Sequence, residues 1–206
     1  MTTFKTEQEA FWAGEFGNQY IERNSGRNFL DIAINQFTHA LAKTQGISSI
    51  IELGSNVGNN MDALHKLYPA ADLHAVELNQ TAAGILQKKN ICTVYNQSIL
   101  DFNAPRQFDL SFTSGVLIHI APEALHIAYE KLYQLSQRYI LVVEYYNHVP
   151  QELDYRGHSG KLYRRDFAGE LMQQHPDVKL LDYGFLYRND PAFKRNEDIF
   201  WFLMEK

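Results

Sequence analysis

The sequence predicts a doubly wound α/β fold, with a mostly parallel seven-stranded sheet that ends in an antiparallel hairpin. Three observations support it: a strand that runs into a glycine turn and a helix, a repeated alternation of strand and helix patterns, and two final strand-like runs without a helix between them. Alternation of this kind joins parallel strands by right-handed crossovers. Two strands joined by a loop alone pair in the antiparallel direction.

The chain begins with an aromatic-rich segment and a helix. Residues 6–24 contain four large aromatic side chains, and Gly14 and Gly17 should interrupt any long helix there. From Asn28 to Lys43 apolar residues recur at helical spacing, and Gly46 supplies an end for this predicted helix.

The stretch from Ile50 to Asn60 reads Ile-Ile-Glu-Leu-Gly-Ser-Asn-Val-Gly-Asn-Asn and is the most informative part of the chain. An apolar strand, Ser49–Leu53, runs into Gly54, and a helical pattern, Met61–Leu67, follows Gly58. Glycine permits positive φ and a close approach of the backbone to a ligand. Such a turn directs backbone N–H groups and the helix dipole at a bound anionic group.

An acid ends the second predicted strand, Leu73–Glu77. Glu77 comes about 20 residues after the glycine turn, where doubly wound nucleotide-binding folds place the carboxylate that accepts ribose hydroxyls. Asn79 is the expected N-cap of the next helix.

The remaining elements continue the alternation. A helix with Pro122 in its first turn buries the stripe Leu125, Ala128, Leu132 and Leu135. The remaining predicted strands are Ile91–Tyr95, Phe108–Thr113 and Tyr139–Val143, followed by the hairpin of Lys179–Tyr187 and Asp198–Met204.

The glycine pattern is G-x-N-x-G, and with Glu52 before it and Glu77 after it, it resembles motif I and the acidic loop of class I S-adenosylmethionine-dependent methyltransferases. This resemblance implies a Rossmann-like methyltransferase fold and S-adenosyl-L-methionine as the cofactor. Many such enzymes carry an acid after the third strand, and here Ser98 takes that place. The resemblance and the strand ends give these cofactor-binding candidates: Glu52, Gly54, Ser55, Asn56, Gly58, Glu77, Leu78, Ser98, Ile99, Ser114 and Gly115.

Polar side chains beyond the fourth and fifth strands are candidates for catalysis and for binding the acceptor. If the acceptor is a hydroxyl or an ammonium, a base must take its proton, and His119, Glu144 and His148 are the candidates. For each of them the alternative is a packing or hydrogen-bonding role. The adjacent Tyr145, Tyr146 and Asn147 are predicted to face the substrate.

Three segments resemble one particular group, the methyltransferases associated with pseudaminic acid biosynthesis. They are residues 11–24 (FWAGEFGNQYIERN), 114–120 (SGVLIHI) and 155–167 (YRGHSGKLYRRDF). The resemblance implies action on a sugar, a nonulosonic acid or a sugar nucleotide of surface-glycan biosynthesis.

The first of these segments is interpreted as a lid. Residues 1–27 would form a segment that covers the cofactor, with Trp12 and Tyr20 over it and Arg23 at its carboxylate; residues 28–206 would form the core. The alternative is an aromatic helix packed on the sheet. A loop at residues 155–166 would form the opposite wall and offer Arg156, His158 and Tyr163 to the acceptor, although its basic residues could equally be a solvated run.

Length and composition bound the possible functions. With 206 residues, a net charge of −5 and a pI of about 5.9, the chain suits one domain and not a general nucleic-acid binder. No apolar run approaches the roughly 20 residues that span a bilayer, and the N-terminus has no apolar leader core. The single Cys92 is expected to be a core thiol in a reducing cytoplasm. No metal site is predicted, because no Cys or acid partner at ligand spacing is found for His39, His65, His74, His126 and His175.

The leading interpretation is therefore a methyltransferase for a sugar or sugar nucleotide. Two alternatives stay open at this point: methylation of another small metabolite or of a protein side chain, and a non-catalytic scaffold that only binds the cofactor. A nucleotide-sugar oxidoreductase is disfavoured because the glycine triplet and the Tyr-x-x-x-Lys pair are absent.

Overall fold

A computed structural model describes residues 4–24, 29–103, 106–193 and 197–206. In chain order its strands are β1 (Ser49–Leu53), β2 (Asp72–Val76), β3 (Thr93–Tyr95), β4 (Phe108–Ser114), β5 (Ser136–Glu144), β6 (Gln151–Tyr155), β7 (His158–Arg164), β8 (Lys179–Leu186) and β9 (Ile199–Glu205). The main feature is a seven-stranded sheet with strand order β3-β2-β1-β4-β5-β9-β8. Strands β1 to β5 pair in parallel, whereas β9 is antiparallel to both β5 and β8. The predicted fold class is confirmed.

Helices cover both faces of the sheet and create two apolar layers. One layer lies between the sheet and the sixth helix, with Phe108, Leu132 and Ile140 among its buried members. The other includes Phe37 and Phe112, whose rings meet edge to face at 5.3 Å between centroids. The helices are α1 (Glu7–Ala13), α2 (Glu15–Asn24), α3 (Leu30–Ala40), α4 (Asn59–Leu67), α5 (Gln80–Lys89), α6 (Leu125–Leu135) and α7 (Phe167–Gln174).

The central strand β1 is buried at all five positions, as expected for a parallel strand covered on both faces. Gly54 follows its last residue, and α4 begins after Gly58; both glycines have positive φ, 83° and 82°. The turn therefore adopts the backbone conformation that the glycine pattern predicts.

Two short helices precede the sheet. Thr6 and Glu9 form a capping box at the start of α1, which ends at Gly14. Gly17 lies within α2 and does not interrupt it. A Cβ on Gly17 would stand 1.9 Å from the carbonyl oxygen of Trp12, so glycine is what allows α1 and α2 to meet so closely.

The predicted loop at residues 155–166 is wrong, because the structure forms a β-hairpin there. Strands β6 and β7 pair in the antiparallel direction around the two turn residues Arg156 and Gly157. Both have positive φ, 55° and 83°, which is the primed turn that suits the twist of a hairpin. The Asp154 side chain accepts a hydrogen bond from the Gly157 N–H at 2.7 Å. An arginine at positive φ is uncommon, which hid the turn from the sequence analysis.

Smaller differences concern element bounds. The third strand covers Thr93–Tyr95 only, so Cys92 precedes it and lies half-buried beside the core. Burial raises the pKa of the Cys92 thiol to about 12. Helix α7 had no sequence prediction; its N-cap is Asp166, which accepts from the Gly169 N–H at 2.9 Å. The predicted boundary between residues 27 and 28, and Asn28 as a helix start, fall outside the described residues.

Candidate functional site

A cavity of about 190 Å³ opens at the carboxyl ends of the parallel strands, beneath α1 and α2. This is the edge at which open α/β sheets bind ligands. Many of the predicted site residues lie in its wall: Trp12, Tyr20, Gly54, Asn56, Glu77, Leu78, Ser98, Ile99, Ser114, Gly115 and His119. Further wall residues are Thr6, Gln8, Glu9, Gly17, Ile21, Asn79, Ala82, Leu100, Val116 and Ile120.

The glycine turn presents its backbone to the cavity. Gly54 lies so close to the next turn that a Cβ there would stand 2.6 Å from a methyl group of Val116. Asn56 also has positive φ, 47°, and its side-chain oxygen accepts from the Val57 N–H at 2.7 Å. Asparagine tolerates this conformation better than most residues, which explains the asparagine in the middle of the turn. Gly58 and the buried Ser55 support the turn from behind and lie outside the cavity wall.

The carboxylate of Glu77 joins two turns at the cavity. One oxygen accepts from the Asn56 N–H at 2.6 Å and the other from the Asn79 N–H at 2.7 Å. Burial raises the pKa of Glu77, and these backbone donors oppose the rise. Each carboxylate oxygen can accept two hydrogen bonds, so both retain capacity for hydroxyl donors of a ligand.

Glu52 supports the site from beneath the glycine turn and does not reach the cavity wall. It is fully buried, and one carboxylate oxygen accepts from the Asn60 side chain at 2.5 Å. The other oxygen has no hydrogen-bond partner among the described residues. Burial raises the pKa of Glu52 to about 8, so the group is mostly the neutral acid at neutral pH.

The third strand is followed by an apolar patch and an unexpected acid. Ser98, Ile99 and Leu100 line the cavity, and the Ser98 hydroxyl donates to the carboxylate of Glu9, which α1 supplies. The other oxygen of Glu9 accepts from the Lys5 and Thr6 N–H groups, at 2.6 and 3.2 Å. Ser98 does follow the third strand, as the sequence indicated, and the carboxylate beside it comes from the N-terminal segment, which the sequence analysis did not predict.

The helices α1 and α2 close over the cavity, and Asn79 holds them there. Its side-chain oxygen caps α5 by accepting from the Ala82 N–H at 3.0 Å. Its amide donates to the carbonyl oxygen of Trp12 at 3.1 Å and to the side chain of Asn18 at 3.0 Å. Trp12 and Tyr20 form the underside of this cover, with ring centroids 5.4 Å apart.

His119 lies in the cavity wall on a 3₁₀ turn after β4. Its Nδ1 is 2.7 Å from the carbonyl oxygen of Lys161, on β7. A carbonyl oxygen only accepts, so Nδ1 carries the hydrogen. Burial lowers the pKa of His119 to about 4, and the ring is therefore neutral at physiological pH. The rings of Trp12 and Tyr155 pack against it at 4.5 and 5.0 Å between centroids.

Glu144 is buried behind this turn. Its carboxylate accepts from the Val116 N–H, at 3.0 Å to each oxygen, and from the Leu117 N–H at 3.1 Å. Burial raises its pKa to about 7, against the effect of those donors. The structure therefore places Glu144 where it shapes the turn that carries His119, and outside the cavity wall.

Several predicted residues lie away from the cavity. Arg23 donates to Gln19 at 3.4 Å and stacks over the ring of Phe16, on the exposed side of α2. His148 is exposed. Tyr146 packs between the rings of Phe200 and Phe202, Asn147 caps its own turn through the carbonyl oxygen of Val149, and Tyr145 lies under Arg164.

None of the hairpin residues predicted to bind the acceptor lies in the cavity wall, and His158 contacts the lid instead. The His158 ring lies 5.0 Å from that of Phe11, and Gln8 donates to the Gly160 carbonyl oxygen at 2.8 Å. Arg156 is exposed at the turn and Tyr163 is buried within the hairpin. The other basic residues there are mostly paired: Lys161 with Glu7, Arg164 with Glu197 and Arg165 with Glu170.

Sequence analysis missed Glu9, Asn79 and Tyr155 as parts of the site. The pattern Thr6-x-x-Glu9 is a capping box and could have located the start of α1. No local pattern indicates that this helix would return to the sheet edge. Among the described residues there is no group of three or more side chains that could hold a metal ion, and no helix long and apolar enough to cross a membrane.

The sequence matches no described protein family and no curated protein. The structure, by contrast, is similar to many solved methyltransferases. Magnesium protoporphyrin IX methyltransferase from Synechocystis PCC 6803, with bound S-adenosylmethionine, is 11% identical over 100% of both chains, with a TM-score of 0.69. A S-adenosylmethionine-dependent methyltransferase from Leishmania major is 13% identical over 97% of this chain and 82% of its own, with a TM-score of 0.75.

A third similar structure is an N-methyltransferase from Bradyrhizobium japonicum WM9 in complex with S-adenosylhomocysteine. It is 15% identical over 89% of this chain and 90% of its own, with a TM-score of 0.62. At such low identities the similarity shows the fold, and the chemistry has to be argued from the residues of the site. The chain has the Rossmann-like fold of class I S-adenosylmethionine-dependent methyltransferases.

Proposed function

We propose that the protein is a S-adenosylmethionine-dependent methyltransferase that acts on a small-molecule acceptor. The observation that carries the proposal is the cavity at the strand ends, in which the Gly54 turn and the Glu77 carboxylate converge under a lid. Similar structures hold S-adenosylmethionine or S-adenosylhomocysteine, which supports the choice of cofactor.

The residues of the cavity fit this cofactor. Glu77 would accept both ribose hydroxyls, because its two oxygens lie at the cavity and retain acceptor capacity. Leu78 and Ile99 offer apolar contact to the adenine, and Ser114 and Gly115 would border the methionine side. Glu52, Ser55 and Gly58 would act on the cofactor indirectly, by shaping the glycine turn.

When bound, S-adenosylmethionine supplies an activated methyl group, and the protein has to align the acceptor and exclude water. The lid residues Trp12 and Tyr20 lie where they would exclude water. A volume of about 190 Å³ is below the roughly 300–1,000 Å³ of typical ligand sites. The lid must therefore move to admit the ligands, and we propose that it closes again over the bound cofactor. Arg23, on the exposed side of α2, would have to reorient to meet the cofactor carboxylate.

For the acceptor we propose a sugar or sugar nucleotide of surface-glycan biosynthesis, on the resemblance of three sequence segments. Arg156, His158, Tyr163, Tyr145, Tyr146 and Asn147 remain its candidate contacts, reached when the lid opens away from the hairpin. The proposal places the reaction in the cytoplasm, in keeping with the free thiol of Cys92. Alternative acceptors are another small metabolite or a protein side chain, since similar structures include a porphyrin methyltransferase and an N-methyltransferase.

The test of cofactor binding is the variant Glu77→Ala. Loss of a charge-assisted contact to the ribose should weaken S-adenosylhomocysteine binding by roughly 1.5–3 kcal/mol, or about 10- to 150-fold. Isothermal titration measures this change, and Glu15→Ala on the exposed face of α2 is the matched control.

A ligand-side comparison separates the contact from a folding defect. The 2′-deoxy analogue of S-adenosylhomocysteine should bind more weakly than the parent to the unchanged protein and equally to Glu77→Ala. Equal binding of both ligands to the unchanged protein would remove the ribose contact from the proposal. Tight binding of NAD would assign the cavity to another class of cofactor.

Turnover distinguishes an enzyme from a cofactor-binding scaffold of the same fold. Radiolabelled S-adenosylmethionine offered with nonulosonic acids and sugar nucleotides should yield labelled product if the proposal holds. Binding of S-adenosylhomocysteine without transfer to any such acceptor would favour the scaffold or a different acceptor.

A further inference from the structure

The three candidate bases differ sharply in their surroundings, and only His119 faces the cavity. The Glu144 carboxylate accepts hydrogen bonds from two backbone N–H groups, those of Val116 and Leu117, and lies outside the cavity wall. The imidazole of His148 is exposed and lies outside the cavity wall. The cavity therefore offers one of the three candidates to an acceptor.

The ring of His119 is held in one orientation by the hairpin. The Lys161 carbonyl oxygen accepts the hydrogen of Nδ1, so the lone pair is on Nε2. In the described part of the chain, Nε2 has no hydrogen-bond partner. It is also absent from the set of fully buried polar atoms without a partner. Nε2 is therefore accessible, and the cavity that His119 lines is the space from which a ligand would reach it. Trp12 and Tyr155 flank the ring as neutral aromatic neighbours.

The rest of the wall carries no cationic side chain. Among the described residues that line the cavity there is no lysine or arginine, and the charged groups are the acids Glu9 and Glu77. An anionic acceptor group such as a carboxylate would find no partner beside His119. A carboxylate acceptor would also have no proton for the ring to take.

We propose that His119 Nε2 accepts the proton of an uncharged hydroxyl, and that the reaction is O-methylation. The inference rests on the proposed function and selects the acceptor atom within it. With S-adenosylmethionine bound, the hydroxyl oxygen would bond to the methyl carbon that the cofactor supplies, and the electron pair of the broken carbon–sulfur bond would go to sulfur. The hydroxyl proton passes to Nε2, and the imidazolium later releases it to solvent.

The alternative acceptor atom, an amine nitrogen, does not suit this ring. An ordinary ammonium has a pKa of about 10.4 and must lose a proton before it can attack. Transfer of that proton to an imidazole with a pKa of about 4 is unfavourable by about six pKa units. A hydroxyl becomes a strong acid once its oxygen has begun to bond to the methyl carbon, and a weak base is then sufficient.

The test is ¹⁵N NMR of the histidine rings in the complex of the protein with S-adenosylhomocysteine at neutral pH. Four probes are added in turn: phenol, methyl α-glucoside, benzoate and benzylammonium. We expect His119 to carry its hydrogen on Nδ1, and phenol or methyl α-glucoside to shift the Nε2 resonance. Whichever of these two probes shifts the resonance shows whether the site binds an aromatic hydroxyl or a sugar hydroxyl.

The variant His119→Asn keeps a donor for the Lys161 carbonyl and removes Nε2. We expect hydroxyl-probe binding to weaken about 3- to 10-fold, the factor for one hydrogen bond, while S-adenosylhomocysteine affinity stays within about twofold. His126→Asn, on the exposed face of α6, is the matched control and should change neither affinity.

Three results would overturn the inference: hydrogen on Nε2 instead of Nδ1, a larger Nε2 shift with benzoate or benzylammonium, or no shift with any probe in the saturated complex. Failure of S-adenosylhomocysteine to bind is a different result, because it would refute the proposed function before any probe is added.

Discussion

Glu52 shows at the scale of one residue how burial controls the charge beneath the site. Its carboxyl group is fully inside, with Asn60 as a donor to one oxygen and no described partner for the other. Its pKa in the folded protein, about 8, lies above the unfolded value of 4.5. Folding therefore favours the protonated acid, and this contribution to stability is present at low pH and lost as the pH rises through 8.

The variant Glu52→Gln should remove this pH dependence, because an amide resembles the neutral acid and does not ionise. Urea unfolding at several pH values should show the variant to be more stable than the unchanged protein above about pH 8. We expect a difference of roughly 1–3 kcal/mol, less than the shift alone would give at 1.36 kcal/mol per pKa unit. Parallel stability curves for the two proteins between pH 5 and about pH 8 would contradict the neutral state of Glu52. The control is Glu15→Gln, which should have the same stability curve as the unchanged protein.

Glu144 leads to a second prediction at this scale. Three hydrogen bonds from the Val116 and Leu117 N–H groups hold the turn before His119. Glu144→Ala should destabilise the protein by about 2–4 kcal/mol, since it leaves buried donors unpaired. It should also broaden the His119 ring resonances in the same ¹⁵N spectra. A sharp, unshifted His119 signal in a folded Glu144→Ala protein would show that the carboxylate does not position the turn.

At the scale of elements, the lid is the part of the structure that depends most on long-range contacts. The indole N–H of Trp12 is buried without an acceptor among the described residues, which is costly for a donor of this kind. We propose that α1 and α2 rearrange on ligand binding so that this N–H gains an acceptor. Asn79, which donates to the Trp12 carbonyl oxygen and to the Asn18 side chain, would restrain that movement.

Tryptophan fluorescence measures this movement. The chain has two tryptophans, Trp12 and Trp201, and Trp201 is buried on β9, so the Trp201→Phe background reports on Trp12 alone. Saturating S-adenosylhomocysteine should change the emission of Trp12 in this background. Asn79→Ala should enlarge the emission difference between free and bound protein, because the free lid is then less restrained.

Two outcomes would count against the lid. One is a Trp12 emission that ignores saturating ligand. The other is normal ligand affinity in a protein that lacks residues 1–24. The control is the variant Trp12→Phe, in which Trp201 is the remaining tryptophan. Its fluorescence should not respond to ligand.

The elements also show what the sequence could predict. Alternation of apolar strands and helices is a local signal, and it led to the correct sheet with its terminal hairpin. The hairpin of β6 and β7 was missed because an arginine occupies a positive-φ position that sequence patterns assign to glycine or asparagine. Helix α7 was missed because it has only eight residues and contains Gly169, and so short a segment has a weak helical pattern.

The site divides in the same way between local and distant information. Gly54, Glu77 and His119 follow strand ends, and chain order alone puts such residues on one edge of a parallel sheet. The contacts of Glu9 with Ser98 and of Lys161 with His119 join residues 89 and 42 positions apart. Contacts at such separations depend on packing and leave no pattern in a single sequence.

For the whole molecule, ligand binding should stabilise the fold, since the cavity joins the lid and four strand ends. A ligand present at 100 times its dissociation constant contributes about 2.7 kcal/mol. For a chain of this size that corresponds to a rise in Tm of roughly 5–10 °C. Differential scanning fluorimetry with S-adenosylhomocysteine measures it; adenosine alone should give a smaller rise. An unchanged Tm at saturation would mean that the ligand does not bind the folded state.

The contact that orients His119 comes from the main chain of Lys161, and this has a consequence for how the protein can change over generations. Almost any amino acid at position 161 would present the same carbonyl oxygen, provided that β7 keeps its register with β6. Mutations can therefore accumulate at position 161 without altering the ring, whereas an insertion or deletion within the hairpin would turn that carbonyl away. Among descendants of this chain, we expect the length of the hairpin to be inherited more faithfully than the identity of the residue that holds the histidine.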